Sequence, residues 1–128
     1  MIEVRKDNLR QFLEDNPNKL IAVMLSLSEC NDCAAQEENL DSTVVPALPE
    51  MIFRKMFVDE DYPIFAPAIV PSIVYFYNGF RVSESLGIIE DFEGYIEFAE
   101  SVYSWTDLAP TETNVESLSQ SNTMPATG

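Results

Sequence analysis

Apolar and polar positions along this chain alternate between two periods, and the changes of period mark out its elements. Leu20 to Leu27 reads Leu-Ile-Ala-Val-Met-Leu-Ser-Leu, a nearly continuous apolar run of strand length. That pattern belongs to a parallel strand covered on both faces and is expected at the centre of a sheet. Ahead of it, Ile2 and Val4 suggest a short strand. Leu9, Phe12 and Leu13 then share one helical face, with Asp7 as the expected N-cap and Asn16-Pro17-Asn18 as the stop.

Behind the apolar run, Ala34 to Leu40 is polar and helix-favouring and leads to Pro46 and Pro49. Ile52 to Val58 mixes aliphatic and aromatic residues with Arg54 and Lys55 and reads as another strand. A proline-punctuated connection from Tyr62-Pro63 through Pro67 reaches Val70-Pro71. Ser72 to Tyr77 and Phe80 to Leu86 flank Asn78-Gly79, the signature of a hairpin with a type I′ turn. From Asp91 to Trp105, Phe92, Tyr95, Ile96, Phe98, Ala99, Val102 and Tyr103 form an apolar stripe, and the glutamates lie mostly away from it, which predicts an amphipathic helix. The order β-α-β-α-β, a connector, then β-β-α predicts an α/β fold: a mixed central sheet of about five strands with helices on both faces. After Trp105 the chain turns rich in hydroxyl residues and holds no Lys, Arg or aromatic residue. Residues 1–105 are therefore expected to fold and 106–128 to form a disordered tail.

Composition narrows the chemistry. The chain has 128 residues, 46% hydrophobic, enough for one domain with a core of its own. Its 7 basic and 22 acidic residues give a net charge of −15. Such a surface repels phosphate backbones and anionic lipid, so neither nucleic acid nor membrane is an expected partner. Histidine is absent, which removes the usual base of hydrolase triads and the commonest metal ligand. Glu3, Arg5, Lys6, Asp7 and Arg10 with no apolar run behind them do not read as a signal peptide, and no stretch approaches the ~20 apolar residues of a membrane span. A soluble monomer in the cytoplasm is expected, the host's cytoplasm if the sequence is viral.

The only two cysteines, Cys30 and Cys33, form one Cys-x-x-Cys between the central strand and the following helix. In an intracellular protein this spacing reads as a dithiol redox site. At a helix N-terminus, unpaired N–H groups and the positive end of the dipole stabilise a thiolate on Cys30, and Cys33 lies one turn inward within bonding reach. Half a zinc site is the competing reading, but four ligands are needed and no other Cys or His is present. A pair of incidental thiols is the bland one. Paired carboxylates and the Asp59-Glu60-Asp61 run show no spacing that singles out a hydrolase or a calcium loop.

With these residues in view, the chain resembles the thioredoxin family over most of Met1 to Trp105. Cys30-Asn31-Asp32-Cys33 stands in the place of the family's active-site dithiol, and Val70-Pro71 through Asn78-Gly79 looks like its cis-proline strand and hairpin. Gly87 matches the glycine after the second hairpin strand, and Lys55 to Asp59 resembles its Lys-x-x-x-Asp strand end. The resemblance implies a thioredoxin fold and a thiol-disulfide oxidoreductase with Cys30 and Cys33 as catalytic residues. It further implies no cofactor beyond that redox-active disulfide, protein disulfides as substrates, and a thioredoxin reductase and a ribonucleotide reductase among the partners. Val70 and Pro71 would hold an extended substrate segment beside the thiols, and Glu29, Asn31, Asp32 and Lys55 would modulate them. Tyr62, Ile64, Phe65, Ile69 and Val70 are candidates for an apolar rim.

The departures shape the expectation. The family's flanking tryptophan and central Gly-Pro are replaced by Glu29 and by Asn31-Asp32, its buried strand carboxylate falls on Met24, and the proline soon after the second cysteine is missing. A thioredoxin-fold adaptor with little redox activity is therefore the alternative function. Glutathione chemistry has only Lys55 and Arg81 to receive an anion. Glu29, Asp32, Glu37 and Glu38 surround the motif with negative charge, which disfavours a thiolate. Cys30 is accordingly expected to be less acidic than the family's nucleophile. The rate of alkylation against pH in Cys33→Ser checks this, and a thiolate already dominant near pH 6 contradicts it.

Overall fold

The computed structural model describes residues 1–59 and 69–108. Three helices and four strands follow in the order α1 (Lys6–Asp15), β1 (Leu20–Ser26), α2 (Asn31–Asn39), β2 (Ile52–Phe57), β3 (Ser72–Tyr77), β4 (Phe80–Leu86) and α3 (Phe92–Leu108). A π-turn at Leu40–Val44 and a 3₁₀ turn at Val45–Ala47 extend α2 toward β2. The strands form one sheet in the order β2-β1-β3-β4, with β1 parallel to β2 and antiparallel to β3.

Every residue of β1 is buried, and its alternation divides the core between two faces. Leu20, Ala22 and Met24 pack with Leu40, Val44, Tyr95 and Ala99, from the α2 extension and α3. Ile21, Val23 and Leu25 pack with Leu9 and Leu13 of α1 and with Met56 and Val74. The helices thus lie on both faces, which explains why β1 reads as a continuous apolar run rather than an alternating one.

Several local expectations are corrected. Among the described residues the strands number four, and the Ile2 and Val4 segment adds a single parallel bridge to the edge of β2: Val4 N–H donates to Lys55 O at 2.8 Å, and Lys55 N–H to Ile2 O at 3.0 Å. Because that pairing holds the chain extended through Arg5, the N-cap of α1 is Arg5 and not Asp7. Arg5 N–H donates to Asn8 Oδ1 at 3.2 Å, and Asp7 falls in the first turn, where its charge favours the helix dipole. At the other end of the chain, α3 continues past Trp105. Thr106 is fully buried on the stripe that includes Ala99 and Val102, with its hydroxyl donating to Tyr103 O at 2.7 Å. A satisfied hydroxyl can enter the core, so the folded part runs beyond the boundary read from composition. Residues 109–128 of the expected tail lie outside the described residues. No described helix is long and apolar enough to cross a membrane.

The hairpin matches its sequence signature. Asn78 and Gly79 take φ of 51° and 85°, as a type I′ turn requires, and Asn78 Oδ1 accepts from Asn18 N–H at 2.6 Å. The α1–β1 turn is thereby fastened to the end of the sheet opposite the cysteines.

One polar cluster crosses the core. The Tyr75 and Tyr95 hydroxyls are hydrogen-bonded to each other, and Tyr75 also meets Ser85 Oγ at 3.0 Å. Burial pushes the Tyr75 phenol up to about 12 and raises that of Tyr95 as well. The folded protein therefore keeps protons that the unfolded chain releases above the ordinary value of 10.0, and stability falls as pH rises past it. Tyr95→Phe is expected to lower the unfolding free energy by about 1 kcal/mol near neutrality. In urea titrations from about pH 9 to 11 its stability should then decline less steeply than that of the parent.

Candidate functional site

The end of β1 delivers the chain to the cysteines. Beyond Ser26 the loop is clamped to the end of β2: Val58 N–H donates to Ser26 O at 2.9 Å, and Ser28 donates through its N–H and its hydroxyl to the Asp59 carboxylate, the N–H at 3.2 Å. Cys30 then takes extended dihedrals (φ −143°, ψ 105°) as the N-cap of α2, and its Sγ accepts from Cys33 N–H at 3.1 Å. A Cys-x-x-Cys at this point brings the two Cα atoms to 5.2 Å, and the sulfurs are joined in a disulfide. The two cysteines are not equivalent. Cys33 is fully buried on the inner face of α2, whereas Cys30 is half-buried and open to solvent. An incoming sulfur can therefore reach only Cys30, at a helix N-terminus whose amide groups favour a thiolate there. Cys30 is the cap, and Asp32 lies exposed in the first turn; Asn31, the first residue of α2, and Glu29 are exposed too.

The Val70–Pro71 peptide bond is cis, with Pro71 buried and Val70 half-buried. Ser72 pairs with Leu25, so this peptide lies at the same end of the sheet as the loop to Cys30. Ser72 also fixes its surroundings: its hydroxyl donates to Ile69 O at 2.6 Å and accepts from Gly87 N–H at 3.4 Å. Gly87 has φ +82°, where a glycine is at home. Of the expected rim, Ile69 is 50% exposed, while Tyr62, Ile64 and Phe65 fall outside the described residues.

Beneath α2, Met24 sits in the core beside Lys55, its register partner on β2. No carboxylate stands on β1, but one arrives from the helix. Glu37, one turn after Cys33, accepts from Lys55 Nζ at 3.0 and 3.2 Å and from the Met1 ammonium at 3.1 Å, which also reaches Asp41 at 3.0 Å. Glu37 therefore faces two cations rather than the thiols, and it lines an open groove along α2 together with Ala34, Glu38, Asp41 and Ser42.

Two positioning residues escaped the sequence reading. Asp59, in an acidic run that shows no ligand spacing, stands at the strand end marked by Lys-x-x-x-Asp and fastens the cysteine loop. Gln36, buried one turn after Cys33, accepts from Ile89 N–H at 2.7 Å and so ties α2 to the connection between β4 and α3. Nothing in the spacing of a lone glutamine on a polar helix signals such a bond. Among the described residues no cluster of three or more His, Cys, Asp or Glu is arranged to hold a metal.

Burial pushes the Glu37 carboxyl up, but its hydrogen bonds from Lys55 and the Met1 ammonium outweigh this and leave it below its ordinary 4.5. A depressed carboxylate stabilises the fold above its unfolded value, and the contribution is lost as pH falls through the folded one. Glu37→Gln should lower stability by about 1 kcal/mol near pH 7. In denaturant titrations the gap between variant and parent should close as pH falls below 4.5.

No family model matches the sequence, and no curated protein does. Solved structures do resemble the fold. The thioredoxin of Fasciola hepatica, 19% identical, covers 80% of this chain and 96% of its own with a TM-score of 0.65. Thioredoxin f2 of Chlamydomonas reinhardtii is 16% identical and covers 79% of this chain and 94% of its own, with a TM-score of 0.69. The germline-specific thioredoxin Deadhead of Drosophila is 19% identical and covers 79% and 98%, with a TM-score of 0.65. At these identities the likeness speaks for the architecture, and the chain has the thioredoxin fold, with its one Cys-x-x-Cys at the start of α2.

Proposed function

We propose that the protein is a thiol-disulfide oxidoreductase that reduces protein disulfides through Cys30 and Cys33. The observation that carries the reading is the asymmetry of the pair: a disulfide at a helix N-terminus with Cys30 accessible and Cys33 fully buried. In the reduced form, the Cys30 thiolate attacks one sulfur of a substrate disulfide. A mixed disulfide forms, and the other substrate sulfur leaves as a thiolate and takes up a proton. Cys33 then gives up its proton and attacks Cys30 Sγ, which closes the Cys30–Cys33 bond and releases the second substrate thiol. Two electrons and two protons pass to the substrate. A reductase of the thioredoxin reductase class would return them, and a ribonucleotide reductase is one candidate acceptor. The cis Val70–Pro71 peptide lies at the same sheet end and supports the placing of an extended substrate segment there.

An adaptor role is the second reading, favoured by Met24: among the described residues, the core side of β1 offers no ionisable group to deprotonate Cys33. Turnover separates the two. With dithiothreitol as reductant, the protein should accelerate precipitation of insulin chains, and Cys30→Ser should bring the rate to the uncatalysed background. Cys33→Ser should instead accumulate a mixed disulfide that persists on a non-reducing gel. A parent rate equal to background refutes the enzyme and leaves the adaptor.

A further inference from the structure

Among the described residues, exposed carboxylates gather at the cysteine end of the sheet. Glu29 precedes Cys30 and Asp32 lies between the cysteines, both exposed. Asp59 stands at the end of β2 and is bonded to the loop that carries them. The connection from β4 to α3 closes the other side: Gly87 is bonded to Ser72, beside Pro71, and Ile89 to Gln36, one turn from Cys33. Ile88, exposed between these two bonds, therefore lies beside the pair, and the exposed Glu90 and Asp91 follow it, Asp91 accepting from Gly94 N–H at 3.0 Å. Five carboxylates, on the cysteine loop, α2, the end of β2 and the connection before α3, thus lie on the segments that meet at the cysteine end of the sheet.

The cations lie off this rim, most of them far from it. All seven are among the described residues. Lys19 and Arg81 are at the opposite end of the sheet, beside the Asn18–Asn78 contact and the hairpin turn. Arg5 and Lys6 start α1 at the same sheet end but beyond the β2 edge, where Arg5 is paired with Glu3 at 3.6 Å, and Arg10 continues the helix away from the cysteines. Arg54 stacks over Phe12, and Lys55 is bonded to Glu37. Between the carboxylates, Ile69 and Ile88 are each at least 50% exposed and give an apolar floor to an acidic rim.

We infer that the site selects cationic substrates: disulfides in polypeptides whose flanking residues are lysine and arginine. The inference rests on the redox reading above and deepens it. The reactive pair fixes where a substrate must sit, and the rim fixes its charge. Each carboxylate is exposed and individually weak, but a ring of one sign around a single point raises the local concentration of a cationic partner and repels an anionic one. The effect on association is about 10-fold or more at low salt and is screened as salt rises. Anionic low-molecular-weight disulfides such as that of glutathione are disfavoured for the same reason.

Three fluorogenic peptides with one internal disulfide, flanked by Lys, Gln or Glu but otherwise identical, provide the test. They are reduced by the full chain charged with dithiothreitol, with the Cys30→Ser rate subtracted as background. At about 20 mM salt the Lys peptide should exceed the Gln peptide about tenfold in kcat/KM and the Glu peptide by more. The spread should shrink to about twofold at about 0.5 M salt. Combining Glu29→Gln with Glu90→Gln should narrow the Lys-to-Glu ratio at least about threefold at low salt. Equal rates for the three peptides, a preference for the Glu peptide, or a ratio indifferent to salt overturns the inference while the redox reading stands. No turnover of any peptide, the Gln one included, overturns both.

Discussion

Burial of β1 on both faces is the constraint on which the other elements depend. A strand with no solvent-facing side needs hydrogen-bond partners along both edges and apolar cover above and below. Here β2 pairs it in parallel and β3 antiparallel, α1 closes one face, and α3 with the extension of α2 closes the other. The parallel pairing needs a crossover between β1 and β2, and α2 is that crossover. The cysteines therefore lie where they do for a structural reason: the first turn after the central strand is the start of the crossover helix, and a helix start is where unpaired amide groups meet a sulfur. The site is a consequence of how the core is closed.

The same closure decides which sulfur reacts. Cys33 lies on the inward stripe of α2 together with Gln36 and Leu40, so it belongs to the core as much as to the chemistry, whereas Cys30 precedes the helix and stays accessible. Around them the loops are held by side chains rather than by the ladder. Asp59 fastens the cysteine loop, Ser72 links the cis-proline turn to Gly87, and Gln36 links α2 to the segment before α3. Four segments distant in sequence are fixed against each other at one end of the sheet. That fixing gives the acidic rim a defined place, because Glu90 and Asp91 would otherwise have no particular relation to Cys30.

Charge has two parts in this molecule, and distance from the pair separates them. Glu37, close to Cys33 along the helix, is matched by Lys55 and the Met1 ammonium and works as a tie between α2, β2 and the amino end. Glu29 and Asp32 remain at the surface beside Cys30. Sequence proximity had grouped Glu37 and Glu38 with them. The helix period separates them, since positions 37 and 38 lie past one full turn, line the groove along α2 and, for Glu37, meet Lys55 of β2.

The sequence determined a good deal by itself, wherever the physics is local. The length and composition of the run from Leu20 set the central strand, Asn78-Gly79 set a turn that needs two positive φ angles, and Cys-x-x-Cys after a buried strand set the dithiol at a helix start. Helix ends and the limit of the folded part were less legible. Arg5 caps α1 because Ile2 and Val4 pair with Lys55, and Thr106 is buried because α3 finds the sheet beneath it. Both depend on a partner far away in the chain. Tertiary structure alone decided that Cys33 is enclosed and Cys30 open, that Lys55 faces Glu37, and that the segments carrying Glu29, Asp59 and Glu90 come to one end of the sheet. Each of these is a relation between segments, and composition and spacing record only neighbours along the chain.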